Sequence, residues 1–241
     1  MALGLGDIGA GLRRSPRVQQ LGHVARANIR KLAESVMPTS MVVWRGRTSG
    51  AGDVQAGKVA LTFDDGPDAM TPEYLAILSE LGVRATFFVI GAQCEKKPDM
   101  VSRIADAGHE LGAHGFTHRR FPSLRPRELE TELRDTQKLL PKSVTPKPLV
   151  RPPHGSVSVS SMLTCTRAGF TTVLWSRDSN DCRTEATADV VRSFDEQHVR
   201  QGEIVLMHEG QRWTVDSLPE VVGRIREAGH ALVTVGELLD G

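Results

Sequence analysis

The chain has 241 residues, 39% of them hydrophobic, enough to bury the core of one large domain, alone or with an extension. A net charge of +1 gives no global attraction to nucleic acid, and aromatics at 5% with a single Tyr leave no platform for stacking bases. The cysteines, Cys94, Cys165 and Cys182, are odd in number and widely spaced, which argues against a disulfide framework or a Cys-rich zinc site and suits a reducing compartment.

Residues 1–57 read as a basic extension and linker. Through Gly50 they carry Arg13, Arg14, Arg17, Arg26, Arg30, Lys31, Arg45 and Arg47 against Asp7 and Glu34. Val18, Leu21, Ala25, Ile29, Leu32 and Val36 recur at steps of three and four, one face of a helix that Pro38 ends. Such a helix either docks on the domain behind it or lies on an anionic membrane surface, which makes residues 18–36 a candidate peripheral membrane contact. The start of the chain lacks the basic-then-apolar pattern of a secretory leader, and no run of about 18 apolar residues occurs. The expected location is therefore cytoplasmic, with the inner membrane surface as the place of any contact. Residues 41–44 read as a short strand and 48–57 as a Gly-rich linker.

From Lys58 onward strands and helices alternate over a single domain, 58–241. Strands are expected at 59–63, 85–90, 109–113, 149–150, 171–175, 203–207 and 231–235. Helices are expected at 71–81, 98–107, 125–140, 158–168 and 188–199, and at 214–228 with an interruption at Pro219. Seven β-α units imply an α/β fold with a parallel sheet covered on both faces, either open or closed into a barrel.

In parallel barrels the chemistry sits at the C-terminal ends of the strands. Here those ends carry Asp64-Asp65-Gly66-Pro67, then His114 and His118, then Arg151-Pro152-Pro153-His154-Gly155, then Asp178 and Asp181, then His208. Adjacent carboxylates at a strand end repel and are costly to desolvate unless a cation neutralises them. Taken alone they read equally well as an acidic turn or as a cation site. His114 and His118, four apart, would lie on one side of a single helical turn, and neutral imidazole suits zinc and similar ions. One carboxylate can then ligate while the other serves as a base, the arrangement that metal-assisted hydrolysis needs.

These five motifs, in this order, resemble those of the polysaccharide deacetylases, carbohydrate esterase family 4, over residues 58–240. The resemblance implies a distorted, seven-stranded (β/α) barrel, here with an N-terminal helical extension. It implies one divalent ion, Zn2+ with Co2+, Mn2+ or Ni2+ as alternatives, held by Asp65, His114 and His118. Asp64 would be the general base on the attacking water, paired with Arg151. The backbone N–H of His154 would stabilise the oxyanion, and Leu206 would wall the acyl pocket. His208 would be the general acid, held by Asp181. The reaction implied is removal of an N-acetyl or other N-acyl group from an amino sugar of an oligosaccharide, polysaccharide or glycolipid precursor. Two positions depart from the family pattern: His154 stands where Tyr is common, and Cys182 where an aromatic flanks the sugar. A groove short of aromatics suits a short or lipid-linked glycan, so a deformylase on a lipid-linked amino sugar is one alternative. A non-catalytic glycan-binding protein is another. A magnesium phosphotransfer site is disfavoured, because its aspartates are usually spaced D-x-D and the two histidines would be idle.

Overall fold

The computed structural model describes residues 42–46, 57–142, 147–195 and 199–240. The expected helix over 18–36 and the linker over 48–57 lie outside them, except for Gly57. Strand β1 (Val42–Val43) is followed by β2 (Gly57–Asp64), α1 (Thr71–Glu80), β3 (Thr86–Val89), α2 (Gly91–Lys96), α3 (Pro98–Asp106) and β4 (Glu110–Ala113). Then come α4 (Pro126–Lys138), β5 (Leu149–Val150), α5 (Val159–Arg167), β6 (Thr171–Val173), β7 (Arg177–Asp178), α6 (Thr187–Asp195), β8 (Ile204–His208), α7 (Arg212–Glu227), β9 (His230–Val233) and α8 (Val235–Leu239). The strands form a curled sheet in the order β1-β6-β5-β4-β3-β2-β8-β7, with β9 paired to β2, and every ladder is parallel. The α/β class and the distorted barrel are as expected. Nine short strands take the place of seven: β1 is the strand expected separately over 41–44, and the chain expected as one strand over 171–175 runs on past it and changes partners. Its first part, β6, pairs with β5 and β1, and its second part, β7, pairs with β8.

Strand β2 is the axis of the sheet, and its alternation explains both faces. Val59, Leu61 and Phe63 point outward into the cluster beneath the helices, with Phe87, Val205 and Met207 beside them. Ala60 points inward, among Phe88, Val173 and Ile204, where Val235 and Leu238 of α8 close the interior. Side chains alternate along a strand, so Thr62 and Asp64 share the inward face with Ala60. In-register pairing sets Thr62 opposite Leu206 and Asp64 opposite His208. The base and acid candidates are therefore neighbours by strand register. A buried ion pair helps hold the curl: Arg177 Nε donates to Glu203 Oε2 at 2.6 Å, and Arg45 reaches Glu203 Oε1 at 3.2 Å.

Three local expectations need correction. Helix α7 runs unbroken from Arg212 to Glu227 through Pro219. Its buried stripe of Val215, Leu218, Val221, Val222 and Ile225 offsets the one hydrogen bond that proline forgoes. The segment 114–118 is not a helical turn. Positive φ at Gly115 (74°) and at His118 (57°) makes it an irregular loop. Helix α2, where the sequence reading left a gap, forms between β3 and α3.

Candidate metal centre and proton-transfer dyad

Asp64 ends β2 and is almost completely buried, and the chain turns immediately after it. Asp65 adopts φ 77°, a left-handed conformation that Asp tolerates better than most residues. The carboxylate so placed has Oδ1 at 3.4 Å from His114 Nε2 and 3.1 Å from His118 Nε2. The ligand atoms of Asp65, His114 and His118 all lie within 4.8 Å of one another.

The donor set itself tests whether an ion belongs there. His114 Nδ1 lies 2.7 Å from the carbonyl oxygen of Arg151, which can only accept, so Nδ1 carries the proton. The neutral ring then aims the Nε2 lone pair at Asp65 Oδ1. Two acceptors face each other, and Asp65 Oδ1 is buried with no hydrogen-bond partner. An orphaned carboxylate oxygen opposite imidazole lone pairs fits a divalent cation, and one carboxylate with two histidines is a known catalytic zinc set.

Arg151 is fully buried. Its Nη1 donates to Asp64 Oδ1 at 2.6 Å and to Thr62 Oγ1 at 2.8 Å, and its guanidinium lies 4.1 Å from the Phe88 ring centre. Removing one partner of such a pair leaves an uncompensated buried charge and costs about 3–5 kcal/mol, so the pair holds the barrel interior as well as aiming Asp64. Asp64 Oδ2 is 3.8 Å from His114 Nε2, beside the candidate ion position yet pinned from the other side by Arg151.

Across the rim, Asp181 accepts from His208 twice: Nδ1 at 2.8 Å through Oδ1, and the backbone N–H at 2.7 Å through Oδ2. Thr214 Oγ1 also donates to Oδ2, and the Trp213 indole N–H donates to the Asp181 carbonyl at 2.7 Å. Burial alone would lower the pKa of His208, but the hydrogen bond and charge of Asp181, with Asp64 and Asp65 behind it, raise it to about 9. His154 stands at φ 59°, its ring 4.6 Å from that of His118, and burial followed by the charge of His118 lowers its pKa. Leu206 is buried on β8, two residues before His208.

The nine residues assigned by resemblance thus lie on the strands and the loops that follow them, with Leu206 in the middle of β8. Others were missed. Glu132 of α4 accepts from the backbone N–H of Phe116 (2.6 Å) and of Thr117 (2.7 Å), and from the Thr117 hydroxyl, which fixes the loop between the two histidines. Glu209 underlies the aspartate turn: its N–H donates to Asp64 O, and its carboxyl accepts from Thr71. A Cβ on Gly66 would fall 1.5 Å from Glu209 Oε2, so a side chain there would push the Glu209 carboxyl aside. Burial, chiefly, pushes Glu209 up to about 8.

Residues 51–173 match the family described as polysaccharide deacetylase, and the chain belongs to that family, among the hydrolases of non-peptide carbon–nitrogen bonds. It is 32% identical to a peptidoglycan-N-acetylglucosamine deacetylase of Bacillus cereus, over 86% of this chain and 97% of that one. It is 36% identical to a chitooligosaccharide deacetylase of Sinorhizobium fredii, over 64% and 73%. Its fold superposes with a TM-score of 0.73 and 26% identity on the crystal structure of a mutant family 4 pseudoenzyme with restored enzymatic activity, covering 83% of this chain and 71% of that one.

Proposed function

We propose that the protein is a metal-dependent deacetylase that removes the N-acetyl group from an amino sugar of an oligosaccharide, a polysaccharide or a glycolipid precursor. The observation that carries this reading is the orphaned Asp65 Oδ1 facing His114 and His118 between two preset proton carriers. Asp65, His114 and His118 would hold the ion, for which zinc is the first choice and cobalt, manganese or nickel the alternatives. When bound, the ion would polarise the amide carbonyl and acidify water. Asp64, aimed by Arg151, takes a proton from the attacking water. The backbone N–H of His154 and the side chain of Leu206 would receive the carbonyl oxygen and the acyl methyl. His208 donates its proton to the leaving nitrogen as the C–N bond breaks, giving acetate and a free amine.

The test is acetate release from N-acetylglucosamine oligomers after chelation and return of zinc or cobalt, for the wild type beside Asp64→Asn. Metal-dependent release that falls about 10²–10⁴-fold in the variant is expected. Oligomer binding without release by the metal-loaded wild type would replace this reading with a glycan-binding one. Release of formate in place of acetate, from a formylated amino sugar, would make the enzyme a deformylase.

A further inference from the structure

The short turn Asp181–Arg183 carries Cys182 one residue beyond the carboxylate that holds the general acid. Its thiol is exposed, whereas Cys94 and Cys165 are buried. A sulfur from Cys182, a carboxylate oxygen from Asp181 and an imidazole nitrogen from His208 all lie within 4.8 Å of one another. The surroundings favour a cation. Burial, then Asp178 and Asp181, push the Cys182 thiol up, so the carboxylates on either side of it are close enough to act on it. The nearby Arg183 is engaged with Asn180 and Asp178.

We propose that Asp181, Cys182 and His208 form a second, inhibitory metal site that takes a borderline or soft divalent ion such as Zn2+ or Cd2+. Thiolate, imidazole and carboxylate are all ligands of such ions, and the exposed thiol leaves an entry path. As the ion binds, the thiol proton and the proton held between His208 and Asp181 pass to solvent. With Nδ1 committed to the ion the ring is a neutral imidazole, and the proton left on Nε2 is too weakly acidic to pass to the leaving nitrogen. Binding must displace the 2.8 Å Asp181–His208 hydrogen bond, so this site fills after the Asp65–His114–His118 site, where an orphaned oxygen is already in place. One ion activates and a second switches the enzyme off. Only the inhibitory consequence rests on the deacetylase reading; the ion binding does not.

The full chain, stripped by chelator, is titrated with Co2+, whose thiolate complexes give a charge-transfer band in the near ultraviolet, while acetate release is followed in parallel. In the wild type the band is expected to grow with the second equivalent as activity falls about tenfold or more from its one-equivalent value. Cys182→Ser, normalised to its own one-equivalent activity, should show neither the band nor the fall. A wild type without the band, or an equal fall in Cys182→Ser, would overturn the proposal. If no acetate is released at any loading, the deacetylase reading fails separately, while the band and its loss in Cys182→Ser still decide the site.

Discussion

At the scale of single residues, the proposed general acid, His208, depends on a reversal of what burial would do. An ordinary imidazole titrates near 6.5, and burial favours the neutral ring. Asp181, with Asp64 and Asp65 behind it, instead raises His208 to about 9, so the ring keeps its proton through neutral pH. Because the folded pKa lies above the unfolded one, the stabilisation from this pair is complete below about pH 6.5 and is lost as the pH rises towards 9. The same group sets the alkaline limb of kcat/KM, expected near pH 9. Asp181→Asn should move that limb at least about one unit downward and lower kcat by about 10²–10⁴-fold. A pH–rate profile decides this: a limb that stays in place in the variant would assign it to a group other than His208.

At the scale of elements, the candidate site is a set of loops held from behind by side chains that would not touch an ion bound there. The loop over 114–118 has no helical hydrogen bonds to fix its two imidazoles. Instead Gly115 and Phe116 carbonyls accept from the N–H groups of Gly91 and Ala92 at the start of α2, and Glu132 accepts from Phe116 and Thr117. Hydrogen bonds to a charged acceptor are worth about 1.5–3 kcal/mol each, so Glu132 is the main constraint on where His118 points. Glu132→Ala should weaken ion binding by about 10–100-fold, the usual cost of losing a group that orients ligands, with Glu132→Gln in between. Chelator competition measures this, beside thermal unfolding of the ion-free protein. Lower ion-free stability with unchanged ion affinity would make Glu132 a stabiliser only. The candidate ligands and proton carriers were legible in the sequence as polar residues gathered where apolar runs stop, and the roles proposed for them came from the resemblance to the family motifs. Glu132 was not, because it reads as one of three alternating glutamates, Glu128, Glu130 and Glu132, on a helix with an exposed face. Its place on the stripe of Leu129, Leu133 and Thr136 is the signal that could have found it. Thr214, 33 residues from Asp181, gave no local signal at all, and neither did the change of partner between β6 and β7. Contacts of that range are set by the curl of the sheet and not by the neighbouring sequence.

At the scale of the whole molecule, charge is unevenly distributed along the chain. Eight basic residues against two acidic ones through Gly50, in a chain of net +1, leave a net of −5 for everything after it. An acidic barrel is repelled by an anionic membrane, so any attachment to such a surface has to come from the basic segment. Among the described residues no helix is long and apolar enough to cross a membrane. Peripheral contact through residues 18–36 therefore remains a proposal about the N-terminal segment, separable from the chemistry. Deleting residues 1–40 leaves β1, the Arg45–Glu203 contact and every residue assigned to the site. The shortened protein should keep its activity on soluble oligomers within about twofold and lose binding to vesicles rich in anionic lipid, where each basic residue near the surface contributes about 1 kcal/mol. Sedimentation with such vesicles at low and at raised salt is the measurement. Binding that survives the deletion would place the membrane contact on the barrel itself, against its charge. Binding that is absent from the full chain as well would leave the basic segment with the other role its pattern allows, that of docking against the domain that follows it.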